Sequence, residues 1–111
     1  MITVPERGDL FYADLKEANG AQYGLRPVLV IQNNVGNFHS PTTIVVPLTS
    51  KVKKMYMPTH IAICKGILLA EQIVTIRKEQ LQNFICKVDN ETMQKVERAI
   101  KISIGLEDYE K

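Results

Sequence analysis

The sequence has 111 residues, of which 45% are hydrophobic and 23% are charged, a balance typical of a globular protein rather than a disordered chain. The formal net charge of +2 gives only weak support to a polyanionic partner, so the local distribution of cations is more informative. No apolar run approaches the roughly 18 residues of a membrane span, and residues 1–8 lack the pattern of a signal peptide. We therefore expect one cytoplasmic domain that covers residues 1–111 and has no membrane partner.

Short apolar runs separated by glycine, proline and polar residues predict a mainly β fold. The first predicted strand spans residues 10–15. The loop after it, residues 16–24, is longer than a hairpin needs and is therefore a candidate functional loop. Residues 28–31 form a continuous β-branched and aliphatic run, which is typical of a strand buried on both faces. A polar loop over residues 33–41 and a third strand over residues 42–49 follow.

The strands predicted in the second half of the chain are residues 59–64, 67–72, 74–76 and 84–88, with a helical turn at residues 78–81. Lys65-Gly66 joins the first two of these strands, and a glycine in so short a connection is typical of a hairpin. Because the connections are too short for parallel crossovers, we expect antiparallel pairing.

A C-terminal helix is predicted over residues 90–104, where apolar residues recur at spacings of three and four. Asp89 is placed to cap its N-terminus, and Gly105 fits the position that follows its C-terminus. Ile102 falls off the apolar stripe, so we expect a second surface, such as another subunit, to cover it. The predicted architecture is a small, strongly bent antiparallel β-barrel with an appended C-terminal α-helix.

Three groups of residues are candidates for chemistry, and each has a plain structural alternative. Arg26 precedes a proline at the start of a rigid strand, where its permanent charge suits either a phosphate or a surface carboxylate. Lys51, Lys53 and Lys54 lie within four positions and form either a phosphate-contacting loop or a solvated linker. His60 is either a hydrogen-bonded structural histidine or, if it faces Arg26, a proton carrier.

The cysteines and histidines do not form a recognisable ligand set. Cys64 and Cys86 lie in apolar runs without Cys-x-x-Cys spacing, so we expect both to be small buried hydrophobic residues. His39 and His60 are distant from each other in the sequence. We therefore expect no metal, no disulfide and no cofactor.

An ordered set of short motifs across nearly the whole chain resembles the MazF/PemK-type toxins. The motifs are Arg7-Gly8-Asp9, Gly24-Leu25-Arg26-Pro27, Ser40-Pro41-Thr42, Pro47-Leu48-Thr49-Ser50, Pro58-Thr59-His60, Glu71-Gln72-Ile73 and Ile102-Ser103-Ile104-Gly105-Leu106. The resemblance implies an SH3-like barrel that works as a homodimer and cleaves single-stranded RNA at short sequences without a metal. It also implies a co-produced antitoxin, which we expect to be acidic and partly disordered because it competes for a cationic groove.

The resemblance also implies roles for individual residues. Arg26 and Thr49 fall on the catalytic positions, and Glu71 and Gln72 fall on positions that contact bases. The further predicted RNA-binding residues are Tyr23, Ser50, Lys51, Lys53, Lys54 and His60.

One departure from the family pattern keeps a second hypothesis open. Val74 stands two residues after Glu71-Gln72, where the family commonly has arginine. The alternative is a catalytically weak or non-enzymatic member of the same fold that acts by binding an antitoxin or a gyrase-type target. The gyrase-directed members depend on a C-terminal tryptophan, and this chain has no tryptophan.

Overall fold

The computed structural model describes residues 4–15, 24–50, 57–64 and 66–108. The strands in these ranges are β1 (Asp9–Asp14), β2 (Leu25–Val30), β3 (Thr42–Thr49), β4 (His60–Ile63), β5 (Gly66–Leu69), β6 (Val74–Arg77) and β7 (Leu81–Lys87). The helices are α1 (Asn34–His39) and α2 (Asn90–Ser103), and a 3₁₀ turn at Lys78–Gln80 joins β6 to β7.

The strands form one antiparallel sheet in the order β4-β5-β3-β2-β1-β7, and β6 pairs with β3 beside β5. This arrangement confirms the predicted mainly β fold with a C-terminal helix. Within the described ranges no ladder joins β4 to β7, so the predicted closure of the sheet into a barrel is not seen there.

β3 belongs to both halves of the sheet. Its first residues pair with β6, and residues 45–47 pair with β2 on the other side. Leu48 and Thr49 pair with β5, which leads to β4. The sheet therefore divides at the end of β3, where β2 ceases to be its neighbour.

Two apolar clusters cover the two faces of the sheet. One lies between the sheet and α2, and its buried members are Leu10, Leu29, Val46, Leu48, Leu68, Ala70, Met93, Val96 and Ala99. The other lies on the opposite face and contains Phe11, Ala13, Leu15, Val28, Val30, Val45 and Ile76. Val28, Leu29 and Val30 are each 0% exposed, which confirms burial on both faces for these residues of the predicted run, whereas Ile31 is only partly buried.

The predicted loop after β2 contains a short helix instead. Asn33 caps α1 by accepting a hydrogen bond from the backbone N–H of Gly36 at 2.8 Å. The side chain of Asn37 is fully buried and accepts hydrogen bonds from Gln32 (3.0 Å) and Thr43 (2.7 Å). These polar contacts stabilise a helical turn that the glycine and asparagine content does not predict.

The prediction for the cysteines is half right. Cys86 is partly buried and packs against the cluster beneath α2, but Cys64 is exposed. Cys64 follows the last residue of β4, so it belongs to the hairpin turn rather than to the apolar strand before it.

Helix α2 has the termini expected from the sequence. The carboxylate of Asp89 accepts a hydrogen bond from the backbone N–H of Thr92 at 2.8 Å. At the other end, Gly105 has φ +83°, and the N–H of Leu106 donates to the carbonyl of Lys101 at 2.7 Å. This αL termination satisfies a carbonyl that the helix leaves unpaired. Neither α1 nor α2 combines the length and apolar character needed to cross a bilayer.

The N-cap gives a pH-dependent prediction. The hydrogen bond from the Thr92 backbone holds the pKa of Asp89 below its usual value. A carboxyl group of lowered pKa stabilises the fold above its unfolded pKa, and that stabilisation is lost as the pH falls through the folded pKa. Asp89→Ala should therefore lower the Tm at neutral pH, measured by circular dichroism, with a difference from wild type that shrinks in acid. Asp89→Asn keeps an uncharged acceptor, so its deficit at neutral pH should be smaller, and it should fall by the same amount in acid because the pH dependence comes from the wild-type carboxyl.

Candidate functional site

Arg26 lies in β2, at a point where the strand has one described neighbour. Its register partner on β1 is Ala13, whereas the ladder between β2 and β3 begins only at Val28. Pro27 lacks an N–H and therefore fits this single-sided segment. Because side chains alternate along a strand, Arg26 shares the face of Val28 and is half-buried where that apolar face ends.

Thr49 lies across the division of the sheet from Arg26. It is the last residue of β3, is 7% exposed and pairs with Ile67 on β5. Val28 pairs with Pro47, so the same register continued by two residues would set Arg26 opposite Thr49. Arg26 is paired with β1, whereas Thr49 is paired with β5. The two residues therefore lie on either side of the point where β2 and β3 separate, which we call the fork.

His60 and Glu71 form a second polar group on the same face. Nε2 of His60 lies 3.2 Å from Oε2 of Glu71. His60 pairs with Leu69. Leu69 lies two residues from Ile67, the partner of Thr49, so both pairs have their side chains on the same face of the sheet. Helix α2 covers the opposite face, so Arg26, Thr49 and His60 all lie on the surface of the sheet away from the helix.

Gly66 permits the close approach of β5 to Thr49. It has φ +146°, and a Cβ at this position would lie 2.7 Å from the carbonyl oxygen of Thr49. Any larger residue would push the backbone of Thr49 away from its position. The sequence predicted a turn at this glycine, but the contact with β3 depends on a long-range pairing that sequence reasoning missed.

The remaining predicted site residues fall into two groups. Ser50 is exposed directly after β3, and Gln72 ends a turn in which its N–H donates to the carbonyl of Leu69 at 2.9 Å. Oε1 of Gln72 is buried and has no hydrogen-bond partner among the described residues. The other predicted residues, Tyr23, Lys51, Lys53 and Lys54, lie outside the described residues.

In the described part of the chain, no group of three or more His, Cys, Asp or Glu side chains could hold a metal ion. The chemistry available at the fork is that of a fixed cation, Arg26, and a hydroxyl, Thr49, while the His60–Glu71 pair lies on another part of the same face. Such groups can bind a phosphate and donate hydrogen bonds to charge that develops on it.

Comparison with known proteins places this chain in a family of toxins. Residues 6–104 match the family of PemK-like, MazF-like toxins of type II toxin-antitoxin systems. A curated relative, Endoribonuclease EndoA of Bacillus subtilis (strain 168), is 43% identical over 115 residues, covering 96% of this chain and 99% of the relative. The chain therefore belongs to the PemK-like, MazF-like toxin family.

Solved structures share the fold. An endoribonuclease from a mycobacterial species in complex with its cognate antitoxin is 28% identical, with a TM-score of 0.80 over 94% of this chain and 98% of that one. MazF of Deinococcus radiodurans superposes with a TM-score of 0.82 at 20% identity, covering 93% of this chain and 98% of its own. The second likeness supports the architecture alone.

The contact at Gly66 gives a stability prediction. Gly66→Ala should lower the free energy of unfolding through backbone strain and through the clash with the Thr49 carbonyl. A clash of this kind typically destabilises a fold by about 1–3 kcal/mol. Gly105→Ala is the matched control, because Gly105 also has a positive φ but a Cβ there would meet no atom within 4 Å. Urea unfolding of both variants isolates the clash. Equal losses of unfolding free energy in the two variants would show that a side chain at position 66 does not clash with Thr49.

Proposed function

We propose that this chain is the toxin of a type II toxin-antitoxin pair and acts as a sequence-specific, metal-independent endoribonuclease on single-stranded RNA, chiefly mRNA. Cleavage would inhibit translation and growth. The observation that carries this is the placement of Arg26 and Thr49 on one face, on either side of the fork in the sheet. The relative at 43% identity, which bears the name endoribonuclease, supports the same activity. We propose one toxin domain over residues 1–111, working in the cytoplasm.

The reaction uses a nucleophile that the substrate supplies. The RNA 2′-hydroxyl attacks the adjacent phosphorus, so an O2′–P bond forms and the P–O5′ bond breaks. The proton lost from the 2′-oxygen is balanced by the proton gained by the leaving 5′-oxygen. The products carry 2′,3′-cyclic phosphate and 5′-hydroxyl ends, and no step requires a metal.

Arg26 and Thr49 stabilise the transition state of this displacement. Negative charge grows on the non-bridging oxygens of the phosphate. The planar guanidinium offers these oxygens several charged N–H donors in a fixed geometry. The Thr49 hydroxyl offers one neutral donor. Arg26 is a poor general base because arginine stays protonated far above neutral pH, so its role is stabilisation, with proton donation to the leaving oxygen.

The other predicted residues bind RNA around this centre. The carboxylate of Glu71 accepts a hydrogen bond from an exocyclic amine, and the Gln72 amide can donate and accept. Lys51, Lys53 and Lys54 attract the phosphate backbone. Ser50 and Tyr23 flank the catalytic strands in the sequence and complete the RNA path.

We further propose two protein partners. A second copy of the chain would cover Ile102, which is half-buried here, and light scattering at micromolar concentration should give the mass of a dimer. An acidic, partly disordered antitoxin would bind over the Arg26 face, because a cationic face attracts carboxylates as readily as phosphates. A mycobacterial endoribonuclease in complex with its cognate antitoxin supports the existence of such a partner. Binding of the partner only to the α2 face, tested by Arg26-face substitutions, would contradict this.

The decisive experiment incubates the purified protein with a long single-stranded RNA in excess chelator and maps the cut ends. We expect cleavage to persist in chelator because the nucleophile is the 2′-hydroxyl and no residue role needs a metal. A 2′-deoxy sugar at one mapped site should block cleavage there and leave other sites unaffected. Equal cleavage of the 2′-deoxy site would refute the mechanism, and failure to cut any RNA would favour the non-enzymatic alternative.

Substitutions at the fork separate the roles of the two residues. Arg26→Ala should reduce kcat by about a hundredfold to a thousandfold, since a donor to developing charge is lost. Arg26→Lys should recover only part of this rate, because an ammonium keeps the charge but lacks the planar set of N–H donors. Thr49→Ala should cost less, and Thr49→Ser should keep most of the activity. Single-turnover cleavage of one mapped RNA site measures all four.

Arg98→Ala is the matched control for the loss of a cation. Arg98 is exposed on α2 and pairs with Glu107, on the face of the sheet opposite the fork. Its removal should leave the cleavage rate unchanged. A normal rate for Arg26→Ala would refute the role assigned to Arg26, and a comparable loss for Arg98→Ala would show that net charge rather than the fork controls cleavage.

A further inference from the structure

The pair formed by His60 and Glu71 is asymmetric in its exposure. Nε2 of His60 lies 3.2 Å from Oε2 of Glu71, and the His60 side chain is 9% exposed whereas that of Glu71 is 40% exposed. Among the described residues, His60 is the hydrogen-bond partner of the Glu71 carboxylate, and the contact uses one of its two oxygens. The imidazole is thus the buried member of the pair and holds Oε2 of Glu71, whereas Oε1 remains available to a ligand.

The backbone on both sides of this contact is fixed by hydrogen bonds. The N–H of His60 donates to the carbonyl of Met57 at 3.0 Å, and His60 pairs with Leu69 across the β4–β5 hairpin. Glu71 lies in the turn closed by the hydrogen bond from Gln72 to Leu69. A carboxylate held in this way has already lost rotamer freedom, so binding a base would cost less entropy than it would for a free glutamate.

The pair lies on a different part of the sheet from the fork. In the strand order, β3 and β5 separate β2, which carries Arg26, from β4, which begins at His60. Nε2 of His60 is directed to Oε2 of Glu71. We therefore assign the pair to recognition of a base rather than to the phosphate.

We infer that His60 is a positioning residue for sequence recognition: it holds Oε2 of Glu71 so that Oε1 accepts a hydrogen bond from the exocyclic amine of a base outside the scissile bond. Adenine, cytosine and guanine carry such an amine. Uracil has no exocyclic amine. It carries carbonyl oxygens on both sides of its single imino N–H, and a fixed carboxylate repels these oxygens. The inference rests on the proposed function, because it assigns a recognition role within the same RNA-binding face.

The test compares mapped cleavage of one long single-stranded RNA by wild type, His60→Ala, Glu71→Gln and the double variant. Wild type should exclude uracil at one position near the cut, and both single variants should relax that same position. On the preferred site KM should rise by roughly five- to a hundredfold while kcat changes little. The double variant should be no worse than Glu71→Gln alone, since both substitutions remove one interaction.

Two further variants separate positioning from a merely structural role. His60→Gln keeps a side-chain N–H that can donate to Glu71, so it should retain the exclusion of uracil. His39→Ala is the matched control, because His39 is exposed at the end of α1 and should not alter the preference. If His60→Ala fails to fold, as judged from its Tm, His60→Leu, which keeps bulk at this position and has no donor, replaces it with the same expected result.

Several results would overturn the inference while leaving the proposed function intact. These are cleavage by wild type with no exclusion of uracil at any position, relaxation at different positions in His60→Ala and Glu71→Gln, and additive losses in the double variant. A fall in kcat as large as that of Arg26→Ala would show that His60 acts in the chemistry instead. Absence of any RNA cleavage by wild type would remove the proposed function and this inference together.

Discussion

Strand β3 pairs with β2 on one edge up to Pro47 and with β5 on the other edge from Leu48 onward, and the site depends on the loss of β2 as a neighbour at this point. A strand inside a continuous sheet has its backbone groups paired on both sides, which leaves no opening for a ligand. Pro27 lies on β2 where the two strands separate, and it has no N–H to offer to β3. The ladder between β2 and β3 ends at the Val28–Pro47 pair, beside Arg26 and Thr49.

Rigid packing behind the fork holds the side chains of Arg26 and Thr49 in fixed positions relative to each other. Val28 and Val30 pack into the cluster on the Arg26 face, and Leu29 packs into the cluster beneath α2. A strand anchored on both faces cannot shift its register without moving apolar residues into solvent. Donors aimed at developing charge need this kind of preorganisation, because reorganising them during the reaction would cost part of the stabilisation.

Chemistry and recognition are separated along the same face in the proposed function. Arg26 and Thr49 come from β2 and β3, whereas His60 begins β4 and Glu71 follows β5. The two pairs are joined through the β3–β5 ladder, whose close approach requires Gly66 beside the Thr49 carbonyl. Residues that read a base can therefore change without moving the residues that hold the phosphate.

The sequence by itself determined the local features whose causes are local. The aliphatic run after Pro27, the Lys65-Gly66 hairpin and the caps at Asp89 and Gly105 each depend on residues within a few positions of one another. Their physical signals, which are periodicity, side-chain capping and glycine at positive φ, are present in any short window. The ordered motifs also indicated Arg26 and Thr49 as a pair, although nothing local requires them to meet.

The tertiary structure decided which of these features come together. The fork at the end of β3, the contact of Gly66 with Thr49 and the pairing of His60 with Glu71 are set by strand register between segments 11 or more residues apart. It also decided that Asn37 is buried in a polar network and that Cys64 is exposed, against the local pattern. Register depends on how two apolar faces are buried together over the whole sheet, so no single window of the sequence contains it.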